Sequence, residues 1–289
     1  MKMVDIISER TNHDRLMISE SKFGAKETKT ILVEGKNDGS WLRNVITDCH
    51  DSRLIIEYRK GGTAKEEVIL QVKEEEYDFG IVDMDYDFSD SQISEDTSLA
   101  SSKSFCCTFG MINDAFDAAK VKKTILDSVN GDREVHAWIN DYMKSSYKYG
   151  LTLFQFLEDT AKYATILRLF AGWAGNNGKS IGTTEVSRFW ITDRIKASYN
   201  VDFDEWSEGY FDDDIYLELR FFLQKYKNQL SNCGINDHDY EDAISILIKH
   251  NFETVFCKNR FNNSIMKFRI NDNNLSPALK SKLEKWRSS

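Results

Sequence analysis

No stretch of the sequence reaches the roughly 18 consecutive apolar residues that a membrane-crossing helix needs. The first residues, Met1 to Leu16, mix Asp, Glu, Arg and His with their apolar neighbours. A secretory leader would show a basic stub and then a greasy run, so an unexported, cytoplasmic protein with no membrane contact is the expectation. Cysteine is scarce and offers no pairing scheme. Cys49, Cys106, Cys107, Cys233 and Cys257 make an odd set, without a Cys-x-x-Cys pair or a His at zinc-ligand spacing. A reducing compartment and no structural zinc follow, and the adjacent Cys106 and Cys107 read as small core residues. Positive charge is also short: the net charge is -9 and the isoelectric point about 5.2. Phosphate binding rests mainly on Lys and Arg, so a protein that coats nucleic acid by charge alone is excluded. Any nucleic-acid chemistry must be local and must draw its positive field from a bound cation, a basic stripe or a partner. Proline is nearly absent; Pro277 alone stands near the start of a last short helix with Leu279, Leu283 and Trp286 on one side. No internal repeat and no low-complexity linker stands out.

What is present suits two domains: 289 residues, 41% of them hydrophobic, can fill two modest cores. From Thr30 onward short apolar runs alternate with helical spacing. Thr30–Val33, Leu54–Tyr58, Phe79–Val82 and Phe105–Phe109 read as strands. Between the first three, Trp41, Leu42 and Val45, and then Ala64, Val68 and Val72, fall at helical intervals. Ile112, Phe116, Ala119 and Ile125 carry another helix after the fourth. Alternation of this kind demands a mostly parallel sheet with helices on its faces. Beyond Gly131 aromatic-rich helical stripes take over, such as Val135, Trp138, Ile139 and Tyr142, or Ile215, Leu219, Phe222 and Tyr226. The expected division is an N-terminal extension at 1–28, an α/β domain at 29–130 and a mainly α-helical domain at 131–289, with the aromatic stripes serving as core.

Two strand ends carry unusual chemistry. The first strand leaves its apolar run as Val33-Glu34-Gly35-Lys36-Asn37-Asp38, which presents Glu34 on the rim where active groups of a parallel sheet gather. Gly35 removes a side chain beside it, and Asp38 follows at the start of the helix; simple helix capping by Asp38 is the plainer alternative. The third strand ends in Ile81-Val82-Asp83-Met84-Asp85-Tyr86-Asp87, where carboxylates alternate on one face of an extended chain. Repulsion makes such a cluster costly without a cation, and hard oxygen donors suit Mg²⁺ or Mn²⁺; the competing reading is an exposed acidic loop.

The E-G-x-x-D turn, the later D-x-D and the glycine turn Gly61-Gly62 after the second strand together resemble the TOPRIM domain. More narrowly, the stretches ILVEGKND and FGIVDMDYD and the helical half that follows resemble the stand-alone TOPRIM nucleases of PARIS anti-phage systems. That resemblance implies an α/β TOPRIM fold, Rossmann-like, with Glu34 as metal-linked general base or ligand and Asp83 and Asp85 as ligands. Asp38 and Asp87 would be supporting acids. Lys36 and Lys60 would neutralise phosphate oxygens, beside the Gly61-Gly62 turn. It further implies an endonuclease acting as a toxic effector on host tRNA, controlled by an ABC-type ATPase partner and dimeric when active. DNA nicking of the OLD type and a non-catalytic TOPRIM assembly module are the other readings. The chain departs from the family where a further Glu often follows the fourth strand: it has Asn113 and Asp114 there. A late Gly-Lys element has only a doubtful counterpart in Ile235-Asn236-Asp237-His238-Asp239.

Two further signals carry less. Gly175-Asn176-Asn177-Gly178-Lys179-Ser180 has the wrong glycine register for a nucleotide-binding loop, since Trp173 stands where glycine is required, and reads as helix termination. His238, among Asp237, Asp239, Glu241 and Asp242, reads as a surface helix start rich in capping acids.

Overall fold

A computed structural model describes residues 29–45, 54–58, 62, 64–82, 99–101, 118–232, 235–261, 263–264 and 277–288. The described residues divide into two compact units, which are taken in turn.

The first unit is a four-stranded parallel sheet, β1 (Lys29–Val33), β2 (Leu54–Glu57), β3 (Phe79–Val82) and β4 (Leu99–Ser101), in the order β2-β1-β3-β4. Helix α1 (Lys36–Val45) joins β1 to β2, and α2 (Lys65–Lys73) leads towards β3, as parallel neighbours require crossover connections. In β1, Ile31, Leu32 and Val33 are buried, and all four residues of β3 are. Such unbroken burial is the mark of strands covered on both faces. Leu32, Val68 and Val82 form one cluster that seats α2 on the sheet. At the entry edge, the Asp78 carboxylate accepts from Thr30 N at 2.6 Å and Thr30 Oγ1 at 2.8 Å, which pins the register of β1 against β3.

The first three strands stand where the sequence predicts them. The expected fourth strand, 105–109, lies outside the described residues, and the fourth strand of the sheet is one the sequence reading lacks: Leu99–Ser101, paired with β3. A three-residue Leu-Ala-Ser strand is too short and too small-sided to announce itself by pattern. The division of the chain also differs from a boundary at 130/131. Helix α3 (Ala118–Ser128) belongs with the helical unit, and the last helix, here α11 (Pro277–Ser288), belongs with the sheet. Its Trp286 ring lies 5.0 Å from Phe79 of β3, and Lys29 of β1 donates to Trp286 O at 3.0 Å with its ammonium over the indole.

The second unit is helical: after α3 come α4 (Arg133–Tyr142), α5 (Leu153–Asn176), α6 (Thr183–Lys196), α7 (Phe203–Tyr210), α8 (Asp213–Lys225), α9 (Lys227–Asn232) and α10 (Asp237–Asn251). Local chemistry sets their ends. Thr152 and Gln155 form a capping box at α5, and Asp132, Asp202, Asp212 and Asn236 cap α4, α7, α8 and α10. Helix α5 closes with Gly178 N donating to Gly175 O and Lys179 N to Ala174 O, Gly178 having φ +80°. This left-handed closure is the helix termination expected of Gly175–Ser180, and it turns the backbone donors to the helix's own carbonyls. The aromatic stripes are core, as expected: Val135, Ile139, Leu219 and Phe222 are fully buried, with Trp138, Tyr142, Ile215 and Tyr226 packed against the core, and Trp190 Nε1 donates to Thr160 O at 2.9 Å.

At the centre of this unit sits an ion pair. Arg168 of α5 reaches Asp239 of α10 at 2.7 Å, with the two side chains 7% and 0% exposed. Its other donors meet Thr184 Oγ1 and Ser187 Oγ of α6, each at 3.1 Å. Thr165 Oγ1 donates to Asp239 at 3.1 Å and accepts from Asn236 N. Burial pushes the Asp239 carboxyl up, against the pull of Arg168 and the hydroxyls. The start of α10 is therefore not a surface helix start: Asp239, Glu241 and Asp242 are buried, Asp242 facing Arg188 at 3.2 Å and Glu241 facing Lys258 at 3.0 Å, while His238 is exposed. The partner that draws the first turn inward lies 71 residues away in sequence, beyond the reach of local pattern.

Removing one half of a buried pair strands the other charge, so Arg168→Ala and Asp239→Ala should each lower the urea-unfolding free energy by about 3–5 kcal/mol. The double variant R168M/D239L should recover most of that loss. Single-variant losses below about 1 kcal/mol would show that the network is not integral to the unit.

Candidate functional site

β1 ends at Val33, and Glu34 and Gly35 carry the chain off the sheet into α1, whose first turn holds Lys36 and Asp38. Gly39 N donates to Gly35 O at 3.0 Å, so the helix begins at once, with Asp38 in its first turn. Glu34 and Asp38 are half-buried and Lys36 is exposed. The turn after β2 passes alongside: Gly62 has φ +88°, and a Cβ built on it would stand 3.6 Å from Glu34 O. The backbone there needs the left-handed region, which glycine enters without strain. The structure thus sets the Gly62 turn beside the Glu34 carbonyl at the carboxyl end of β1, with Asp38 in the first turn of the helix that follows.

Packing behind the rim holds α1 in place. A Cβ on Gly39 would meet Tyr58 Cδ1 at 3.0 Å and Val33 Cγ2 at 3.5 Å, so an alanine there would have to push the Tyr58 ring aside by a few tenths of an ångström. Arg43, one turn on, donates to Ile56 O and sets its guanidinium over the Tyr58 ring. This role of Gly39 was not read from the sequence; its only signal is a glycine four residues after Gly35, inside a helical pattern.

β3 runs parallel to β1 with Val33 level with Ile81, and it ends at Val82. Asp83 is the next residue in the chain. Asp83, Asp85 and Asp87, together with Lys60, Gly61, Asn113 and Asp114, lie outside the described residues. Among the described residues no three His, Cys, Asp or Glu side chains gather as a metal-holding group. The donors that are described, Glu34 and Asp38, are hard oxygens suited to a divalent cation of the Mg²⁺ class and ill suited to zinc.

Comparison with known protein families, with characterised proteins and with solved structures finds no match to this chain.

Two glycines separate packing from propensity. Gly39→Ala should lower stability by about 1–3 kcal/mol through overpacking against Tyr58. Gly175→Ala, in the last turn of α5 with open space around it, should be neutral or stabilising by up to about 1 kcal/mol. Thermal melts of the two variants side by side test this, and equal shifts would remove the close-approach argument for Gly39.

Proposed function

We propose that this chain is a TOPRIM-type nuclease that uses Mg²⁺ or Mn²⁺ to hydrolyse a nucleic-acid backbone. The observation that carries the reading is positional. A carboxylate, Glu34, stands at the end of an inner strand, next to a parallel neighbour whose following residue is Asp83. Rims of this kind are where α/β sheets put their chemistry.

Glu34, Asp83 and Asp85 would hold the metal, with Asp38 and Asp87 supporting. A bound divalent cation supplies Lewis acidity to the scissile phosphate and lowers the pKa of an attacking water. Glu34, a carboxylate on the rim, would take that water's proton. Lys36, exposed at the same rim, and Lys60 pair with non-bridging phosphate oxygens, while the Gly61-Gly62 turn lets a backbone come close. The acidic balance of the chain suits a selective cutter of a folded substrate, because RNA is recognised largely by shape. Following the family resemblance, the substrate is host tRNA and the setting anti-phage defence. In that setting the nuclease acts as a dimer once an ABC-type ATPase partner releases it.

The test is cleavage of total tRNA and of supercoiled plasmid by the purified chain, with Mg²⁺ and with chelator. Glu34→Ala should cut at least about 100-fold more slowly than the unaltered chain. Chelation should abolish cutting, and excess Mg²⁺ or Mn²⁺ should restore it. Cutting that survives both Glu34→Ala and chelation overturns the proposal. Nicking of plasmid with tRNA left whole keeps the nuclease and moves its substrate to DNA.

A further inference from the structure

On the helical unit, α6 presents Glu185, Phe189 and Asp193 one turn apart, with all three residues exposed. This spacing lines them up on one helix face. Phe189 is 45% exposed and lies 5.8 Å from the Tyr210 ring, itself 39% exposed, at the end of α7. Tyr210 stacks on Trp206 at 4.6 Å and 11°. Trp206 is in turn fixed from below by Trp190 at 5.4 Å and from the side by Asp193, which accepts its indole N–H at 2.9 Å. Partial burial, then Glu185 and Asp193, push the Tyr210 hydroxyl up, which places both carboxylates within electrostatic reach of the ring. The two exposed aromatics are therefore held in place by a stack that runs down to the core.

Charge around this face is mostly negative, Lys196 at the end of α6 being its exposed cation. From position 202 to 218 the chain carries acids but no Lys or Arg. Arg188, beside Phe189, is committed to Asp242, and Arg194 is buried against Asp159. Aromatic faces attract cations through their ring quadrupole, and guanidinium most often, because it can stack as well as pair. Phosphate is repelled by the same field.

We propose that the Phe189–Tyr210 face docks an arginine-bearing basic segment of a partner protein, one guanidinium lying on the rings and pairing with Glu185 or Asp193. The rings give the site its shape and the carboxylates its sign. This surface is independent of the nuclease reading, and neither stands or falls with the other.

The test uses the full chain and a fluorescein-labelled twelve-residue peptide of alternating Arg and Ala, read by anisotropy. Its comparators are the same peptide with Gln for Arg and a labelled single-stranded RNA of equal length. Saturable binding of the Arg peptide is expected, with none for the Gln peptide or the RNA. Phe189→Ala and Tyr210→Ala should each weaken it about fivefold to tenfold, and Glu185→Gln should weaken it less. Tyr210→Phe, which keeps the ring, should bind as the unaltered chain does. Phe189 is exposed and can be truncated without opening the core, so the outcome is readable even if Tyr210→Ala unfolds. Equal peptide affinity in Phe189→Ala, no peptide binding at all, or RNA binding that Phe189→Ala abolishes would each overturn the proposal.

Discussion

The helical unit is organised around the Arg168–Asp239 pair. Taking both charges out of water costs several kcal/mol apiece, and only a geometry in which every donor is met makes the arrangement tolerable. Here the guanidinium meets one carboxylate and two hydroxyls, and the carboxylate is also held by Thr165. These partners come from α5, α6 and α10, the helices whose apolar faces build the core. A rotation of any one of them by a fraction of a turn would leave a buried charge without its partner. The pair thus fixes the rotational setting of helices that greasy packing alone would hold less strictly.

The sheet unit obeys a different constraint. Its strands are parallel, so each connection must cross a face, and every strand delivers its carboxyl end to the same rim. That geometry makes a single acidic residue after β1 consequential. Gly39 lets α1 press close to Tyr58 and Val33, and the left-handed Gly62 passes beside the Glu34 carbonyl. Tyr58 and Arg43 then lock the approach.

Legibility in the sequence followed the length and side-chain character of each element. β1, β2 and β3 are β-branched or aromatic runs of four or five residues, and their limits were readable to within one residue. Helices α4 and α8 announced themselves by apolar periodicity, and the turn at Gly178 by its glycine. β4, with only Leu99, Ala100 and Ser101, carries no such signature. Nor could pattern reveal that Asp239 faces inward, since its partner is remote in the chain, or that α11 leaves the helical half to join the sheet. At the candidate site, Glu34, Asp38 and Gly62 were legible because strand ends and glycine turns have local signatures. The close fit of Gly39 against Tyr58 was not, being a property of two elements meeting.

The contact of Lys29 and Phe79 with Trp286 sets an order of events during synthesis. Domains generally fold from the N-terminus as the chain emerges. The sheet begins at residue 29, yet the helix that packs on it, α11, is made after the whole helical unit. The helical unit, continuous from α3 to α10, has all its parts in hand sooner. Birth order along the polypeptide and completion order of its two units therefore run in opposite directions.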